Sequence, residues 1–95
     1  MTHIVLYTHP FCSFCLAAKS LLTRKGLAFE EIDVEFDAER RAEMMARAGG
    51  ARRVPQIFVQ GHHLGGYDEL LAVERNGDLE TWLSREPPIA EASGL

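Results

Sequence analysis

The chain reads as a single α/β domain built on a four-stranded mixed sheet flanked by helices. Three observations lead there. Residues 3–7 form a short β-rich apolar run without polar alternation, the pattern of a strand covered on both faces. A stretch of helical period follows almost at once and leads by a short link into a second apolar run, an order that implies a right-handed parallel crossover. Further along, two short runs meet at Gln60-Gly61, a tight turn that implies an antiparallel hairpin.

Each element has its own justification. After the first strand, Thr8-His9-Pro10-Phe11 breaks the run, and Cys15, Ala18, Leu21 and Leu22 recur at helical spacing across residues 13–25, with Gly26 as the stop. Residues 27–34 (LAFEEIDV) read as the second strand. Asp37 is placed to cap a second helix that carries Met44, Met45 and Ala48 inward, that shows Glu39-Arg40-Arg41 to solvent, and that ends at Gly49-Gly50. Residues 54–59 read as a third strand. Pro55 sets its start because proline cannot donate to a ladder. Residues 62–64 form the fourth strand, interrupted by Gly65-Gly66. A helix at residues 68–75 closes at Asn76-Gly77, and Asp78 is expected to cap a last short helix holding Leu79, Trp82 and Leu83. The domain is expected over residues 1–85, with a tail at 86–95 after regular structure stops at Pro87-Pro88.

Composition narrows what such a domain does. A chain of 95 residues buries only about 60–65% of the surface its unfolded form exposes, so one core is expected. The formal net charge is −4 and the basic residues are scattered, which argues against a nucleic-acid partner. No apolar run approaches the roughly 18 residues a membrane span requires, and no basic leader precedes the first strand, so no membrane partner and a cytoplasmic location are expected.

The cysteines carry the chemistry. The chain has two, as Cys12-Ser13-Phe14-Cys15. A bridge across so short a loop removes little unfolded-chain entropy, so its value is chemical rather than structural. Zinc would need about four ligands, and the neighbouring His62 and His63 on a strand point to opposite faces. A c-type haem is excluded because Leu16, not histidine, follows the second cysteine. At the start of a helix, Cys12 faces free backbone N–H groups and the positive end of the macrodipole, which favour a thiolate. It is the expected nucleophile. Cys15, one turn further in, packs toward the core and is the expected resolving thiol.

Three separated stretches occur in order: YTHPFCSFC at residues 7–15, VPQIF at 54–58 and GGYDEL at 65–70. With them the chain resembles the glutaredoxins of the thioredoxin-fold superfamily over residues 4–83. It fits thioredoxin itself poorly, because Phe11 stands where thioredoxins have tryptophan and Ser13-Phe14 where they have Gly-Pro. The resemblance implies the thioredoxin fold and a glutathione-dependent thiol-disulfide oxidoreductase that acts on glutathionylated and disulfide-containing proteins. It implies no required cofactor and glutathione as co-substrate; a monomer is expected. It also implies that Pro55 is cis, that the Val54 backbone pairs with the cysteine of glutathione, and that the backbone N–H groups of Tyr67 and Asp68 take the γ-glutamyl carboxylate. The Asp68 carboxylate would then face the ligand amine, or else simply cap its helix. Phe14, in the place of the usual tyrosine, and Gly66, where backbone and ligand approach closely, complete that set.

Departures from the family pattern raise further expectations. His9 stands where lysine is usual and is expected to replace it in part. Arg53 stands where threonine is usual, and either Arg52 or Arg53 is expected to supply permanent charge beside the cleft. Arg47 is a third candidate, and the sequence does not rank the three. Ser13 replaces the usual proline, a change associated in the family with a [2Fe–2S] cluster held between two subunits by the first cysteine and glutathione. That makes a cluster carrier or sensor, with Cys12 as ligand, the alternative function.

Overall fold

The computed structural model describes residues 3–86. The eight elements run β1 (Ile4–Thr8), α1 (Ser13–Arg24), β2 (Glu30–Asp33), α2 (Ala38–Arg47), β3 (Gln56–Val59), β4 (His62–Gly65), α3 (Tyr67–Arg75) and α4 (Leu79–Leu83). The strands order as β2-β1-β3-β4. β1 pairs in parallel with β2, while β3 runs antiparallel to both β1 and β4. This is the mixed sheet and the thioredoxin fold that the sequence implies. The tail expected at residues 86–95 lies, from residue 87 on, outside the described residues.

All five residues of β1 are buried, as its unbroken apolar run requires. Alternate side chains feed two core layers. Ile4 and Leu6 join Ala18, Leu21 and Leu22 of α1, Ile57 and Val59 of β3, Leu70 of α3 and Leu79 of α4. Val5 and Tyr7 point the other way and meet Phe58, Val34, Met44 and Ala48 beneath α2. Trp82 packs against the first layer, with the Arg85 guanidinium 4.6 Å above its ring. Among the described residues no helix is long and apolar enough to cross a membrane.

Several element ends differ from the sequence expectation by a residue, and the larger or more telling differences have local reasons. The second strand begins at Glu30, not at residue 27. The Leu27 N–H donates to the Leu22 carbonyl at 3.0 Å and the Gly26 N–H to Thr23 at 3.0 Å, with Gly26 at φ +72°, so this stretch closes α1 instead. The third strand begins after Pro55, at Gln56, and the Val54–Pro55 peptide is cis. The fourth strand continues through Gly65, because a bulge sets Ile57 opposite Gly65 and Phe58 opposite His63. The last helix starts at Leu79, but the Asp78 side chain makes no capping bond. Asp37 does cap α2, accepting from the Arg40 N–H at 3.0 Å.

Candidate functional site

The thiols sit where β1 hands over to α1. Phe11, wholly exposed, turns the chain with a left-handed φ of +65°, a strained conformation for a bulky residue. Cys12 becomes the N-cap of α1 in extended conformation, and its carbonyl accepts the first helical bond, from Leu16 at 3.1 Å. Its Sγ accepts from the Cys15 N–H at 3.1 Å, the bond that a capping oxygen would make elsewhere. No acidic side chain occupies the first turn of α1, so the end of the helix is left to the sulfur.

The two thiols are unequal. Cys12 is partly exposed and Cys15 is buried, and neither is in a disulfide. Burial, reinforced by the hydrogen bond with Cys12, pushes the Cys15 thiol up to about 12. Cys15 is therefore protonated near neutrality, and Cys12 is the sulfur available for attack. The Cys12 thiol lies 3.8 Å from the Val54 carbonyl, which joins the helix start to the loop before β3.

Beyond Val54 a groove of about 220 Å³ opens between that loop and the start of α3. Arg53, Val54 and Pro55 form one wall, and Gly66, Tyr67 and Asp68 form the other. Phe14 reaches in from α1 with its ring 6.0 Å from that of Tyr67. Gly66 is the N-cap of α3, and its N–H donates to the Glu69 carboxylate at 2.7 Å. Asp68 thus lies inside the first turn of the helix and does not cap it. Gly65, at φ +126°, carries the close approach that makes this wall. A Cβ there would lie 2.7 Å from the Glu69 Cγ.

Seven of the residues picked from sequence for glutathione therefore line one groove, and His9 is not among them. His9 lies in a second depression of about 270 Å³ on the other side of Cys12, shared with Cys15, Lys19, Glu31 and Asp33. Its Nδ1 is 2.6 Å from the Pro10 carbonyl and 3.7 Å from a Glu35 carboxylate oxygen. Arg47 is turned elsewhere too. It donates to the Tyr7 hydroxyl at 2.7 Å and lies 4.4 Å above the Phe58 ring. Of the three arginines left unranked, Arg53 is the one on the groove.

Sequence reasoning passed over Gln56 and Glu69, which also line the groove. Both lie inside the quoted motifs, so the signal was present, but their partners were not visible. It also passed over the pair beneath the second depression. There the Lys19 Nζ is 3.0 Å from Glu31, and the Thr8 hydroxyl donates to the same carboxylate oxygen at 2.7 Å. Burial acts to raise the Glu31 carboxyl, but the Thr8 and Lys19 bonds prevail and hold it below the ordinary range. His62 and His63 take separate partners, the Glu86 carbonyl and the Gln56 side chain. Among the described residues no three His, Cys, Asp or Glu side chains gather as metal ligands.

Comparison with known proteins agrees with this geometry. The family model for glutaredoxin matches residues 4–64. A glutaredoxin of Pseudomonas aeruginosa is 46% identical over 84 residues, covering 88% of this chain and 99% of that protein. Glutaredoxin 3 of Escherichia coli is 40% identical over 83 residues, covering 87% and 99%. The solution structure of glutaredoxin from Brucella melitensis superposes with a TM-score of 0.76 at 46% identity, covering 87% of this chain and 89% of that one. A buckwheat glutaredoxin–glutathione complex also gives 0.76, at 26% identity and 85% and 76% coverage. With a partly exposed thiol at a helix start, a buried second thiol one turn on and these relatives over most of its length, the chain belongs to the glutaredoxin family of thiol-disulfide oxidoreductases.

Proposed function

We propose that the chain reduces glutathione mixed disulfides through Cys12, and protein disulfides through the Cys12–Cys15 pair, with glutathione as co-substrate. The observation that carries this reading is the groove beside Val54, whose carbonyl lies 3.8 Å from the Cys12 sulfur. A ligand held there has its own sulfur within reach of the nucleophile. The chemistry of the walls suits a tripeptide with a charge at each end. The Arg53 guanidinium faces a carboxylate, and the first turn of α3 offers the Tyr67 and Asp68 N–H groups to a second one. The Asp68 carboxylate takes the ligand ammonium, and the Val54 backbone pairs with the central cysteine. The solved glutathione complex of the buckwheat relative supports the assignment of ligand class.

In the first step the Cys12 thiolate attacks the cysteinyl sulfur of glutathione in a mixed disulfide, and the substrate thiolate leaves and takes up a proton. A second glutathione thiolate then attacks the glutathione sulfur on Cys12, releasing glutathione disulfide and restoring the Cys12 thiolate. With a protein disulfide, Cys12 first forms a mixed disulfide with the substrate. Cys15 loses its proton, closes on Cys12 and expels the second substrate thiol, and two glutathione molecules reopen the bridge. The test is turnover of a glutathionylated peptide by glutathione, coupled to glutathione reductase. Saturable turnover that disappears in Cys12→Ser is expected; absence of turnover in the wild-type chain overturns the reading.

A further inference from the structure

One hydrogen-bonded chain runs from the groove wall, at Arg53 and Gln56, back to His63, which does not line the groove. Gln56 opens β3 and is buried, at 5% exposed. Its Nε2 donates to the Arg53 carbonyl at 2.9 Å. With the amide N–H used there, its Oε1 is the acceptor for the His63 Nε2 at 2.6 Å, which places the proton of the His63 ring on Nε2. The ring is fixed in turn. His63 pairs with Phe58 across β3 and β4, and the two rings lie 5.0 Å apart. Phe58 is clamped on its own account by the Arg47 guanidinium, 4.4 Å from its ring. Partial burial holds His63 below its ordinary range, and the Glu69 carboxylate pulls the other way. Glu69 is the residue that bonds Gly66 on the opposite wall.

From these contacts we infer that His63 is a positioning residue for the groove: through the Gln56 amide it sets the Arg53 carbonyl, and with it the spacing of the Arg53-Val54-Pro55 wall from the start of α3. The inference deepens the glutathione reading and rests on it. The Arg53 carbonyl belongs to the peptide that leads into Val54, so a change there moves the Arg53 side chain and the Val54 backbone together. Both are ligand contacts, and neither takes part in sulfur transfer. The role therefore concerns how well the ligand is held, not how fast the sulfurs exchange.

The test compares His63→Leu and His63→Gln with the wild-type chain on a glutathionylated peptide. Leucine keeps bulk but has no donor, whereas the terminal amide of glutamine stands in for Nε2–H. The expected result is an apparent KM raised about fivefold to tenfold by leucine, the equivalent of one lost hydrogen bond, with kcat within about twofold. Glutamine is expected to restore KM to within about twofold of wild type. An unchanged KM in His63→Leu, or a KM that glutamine fails to restore, overturns the role. If His63→Leu does not fold, Gln56→Met cuts the same chain at its other link and is expected to raise KM similarly; an unchanged KM there overturns it equally. Wild-type kinetics separate the two readings. No saturable turnover by the wild-type chain removes glutathione from the groove, while normal wild-type turnover with unaltered variants removes only the role of His63.

Discussion

At the residue scale the site depends on an asymmetry between two sulfurs one helical turn apart. Burial and the hydrogen bond with Cys12 push the Cys15 thiol up to about 12, so Cys15 is protonated at pH 7. Burial is the largest cause, followed by the hydrogen bond with Cys12, and the charge of Cys12 acts in the same direction. Brief treatment with iodoacetamide near neutrality is expected to label Cys12 and spare Cys15, as read by peptide mass mapping; equal labelling would contradict the assignment. Cys15→Ser is expected to keep turnover of mixed disulfides and to lose intramolecular reduction of protein disulfides. The groove cation is a second matter. Arg53→Ala is expected to raise the KM for a glutathionylated peptide about tenfold, the scale of a lost bond to a charged group. His9→Ala, whose ring lies on the far side of Cys12, is expected to change it by less than about twofold.

At the scale of elements, the ends of helices and strands build the site, and their interiors only support it. α1 gives its first turn to a sulfur, and α3 gives its first turn to the groove wall. α2 lacks such a duty and uses an ordinary cap. Asp37→Ala is expected to cost about 1 kcal/mol of stability by urea unfolding, with activity unchanged. Gly65 is different, because its left-handed φ and the Glu69 side chain both forbid a Cβ. Gly65→Ala is expected to destabilise the fold by about 1–3 kcal/mol and to lower the affinity of the groove, since Glu69 must leave Gly66 to make room. Loss of stability with unchanged KM would show that the Glu69–Gly66 cap is not part of the wall.

The whole molecule is two core layers on one sheet, and β1 serves both. Leu6 and Leu22 are fully buried in the layer under α1, so Leu22→Ala is expected to cost about 2–5 kcal/mol, a large share of the stability of so small a domain. The other layer holds the polar network. The Tyr7 hydroxyl donates to Glu43 at 2.5 Å, which holds the Glu43 carboxyl below its ordinary 4.5. Burial, with that bond in support, holds the Tyr7 hydroxyl above 10.0. The signs follow from linkage. Glu43 and His63 both titrate lower in the folded chain, so their contributions are present above 4.5 and 6.5 respectively and are lost as pH falls through the folded values. Tyr7 titrates higher, so its contribution is present below 10.0 and is lost as pH rises toward the folded value. Stability is therefore expected to decline in acid in two stages, the first starting below pH 6.5. His63→Gln is expected to remove that first stage in thermal melts run across pH, and an unaltered acid profile would refute its origin in His63.

By itself the sequence determined the order of the elements, the mixed sheet, the CxxC-type thiol pair at a helix start and the three segments that meet at the groove. Those features follow from local rules: apolar periodicity, the position of a cysteine at a helix start, and the places where glycine and proline punctuate the chain. Tertiary structure decided which of the candidate side chains lines the groove: Arg53 does, whereas His9 and Arg47 lie elsewhere. It also set the contacts of Gln56 with His63 and of Glu69 with Gly66, moved the start of β2 from residue 27 to Glu30, and denied Asp78 its cap. The physical reason is reach. A loop or strand side chain points where distant partners and turn geometry send it: Tyr7 holds Arg47 from 40 positions away, and Cys12 finds Val54 from 42. No spacing within one segment encodes a contact of that kind.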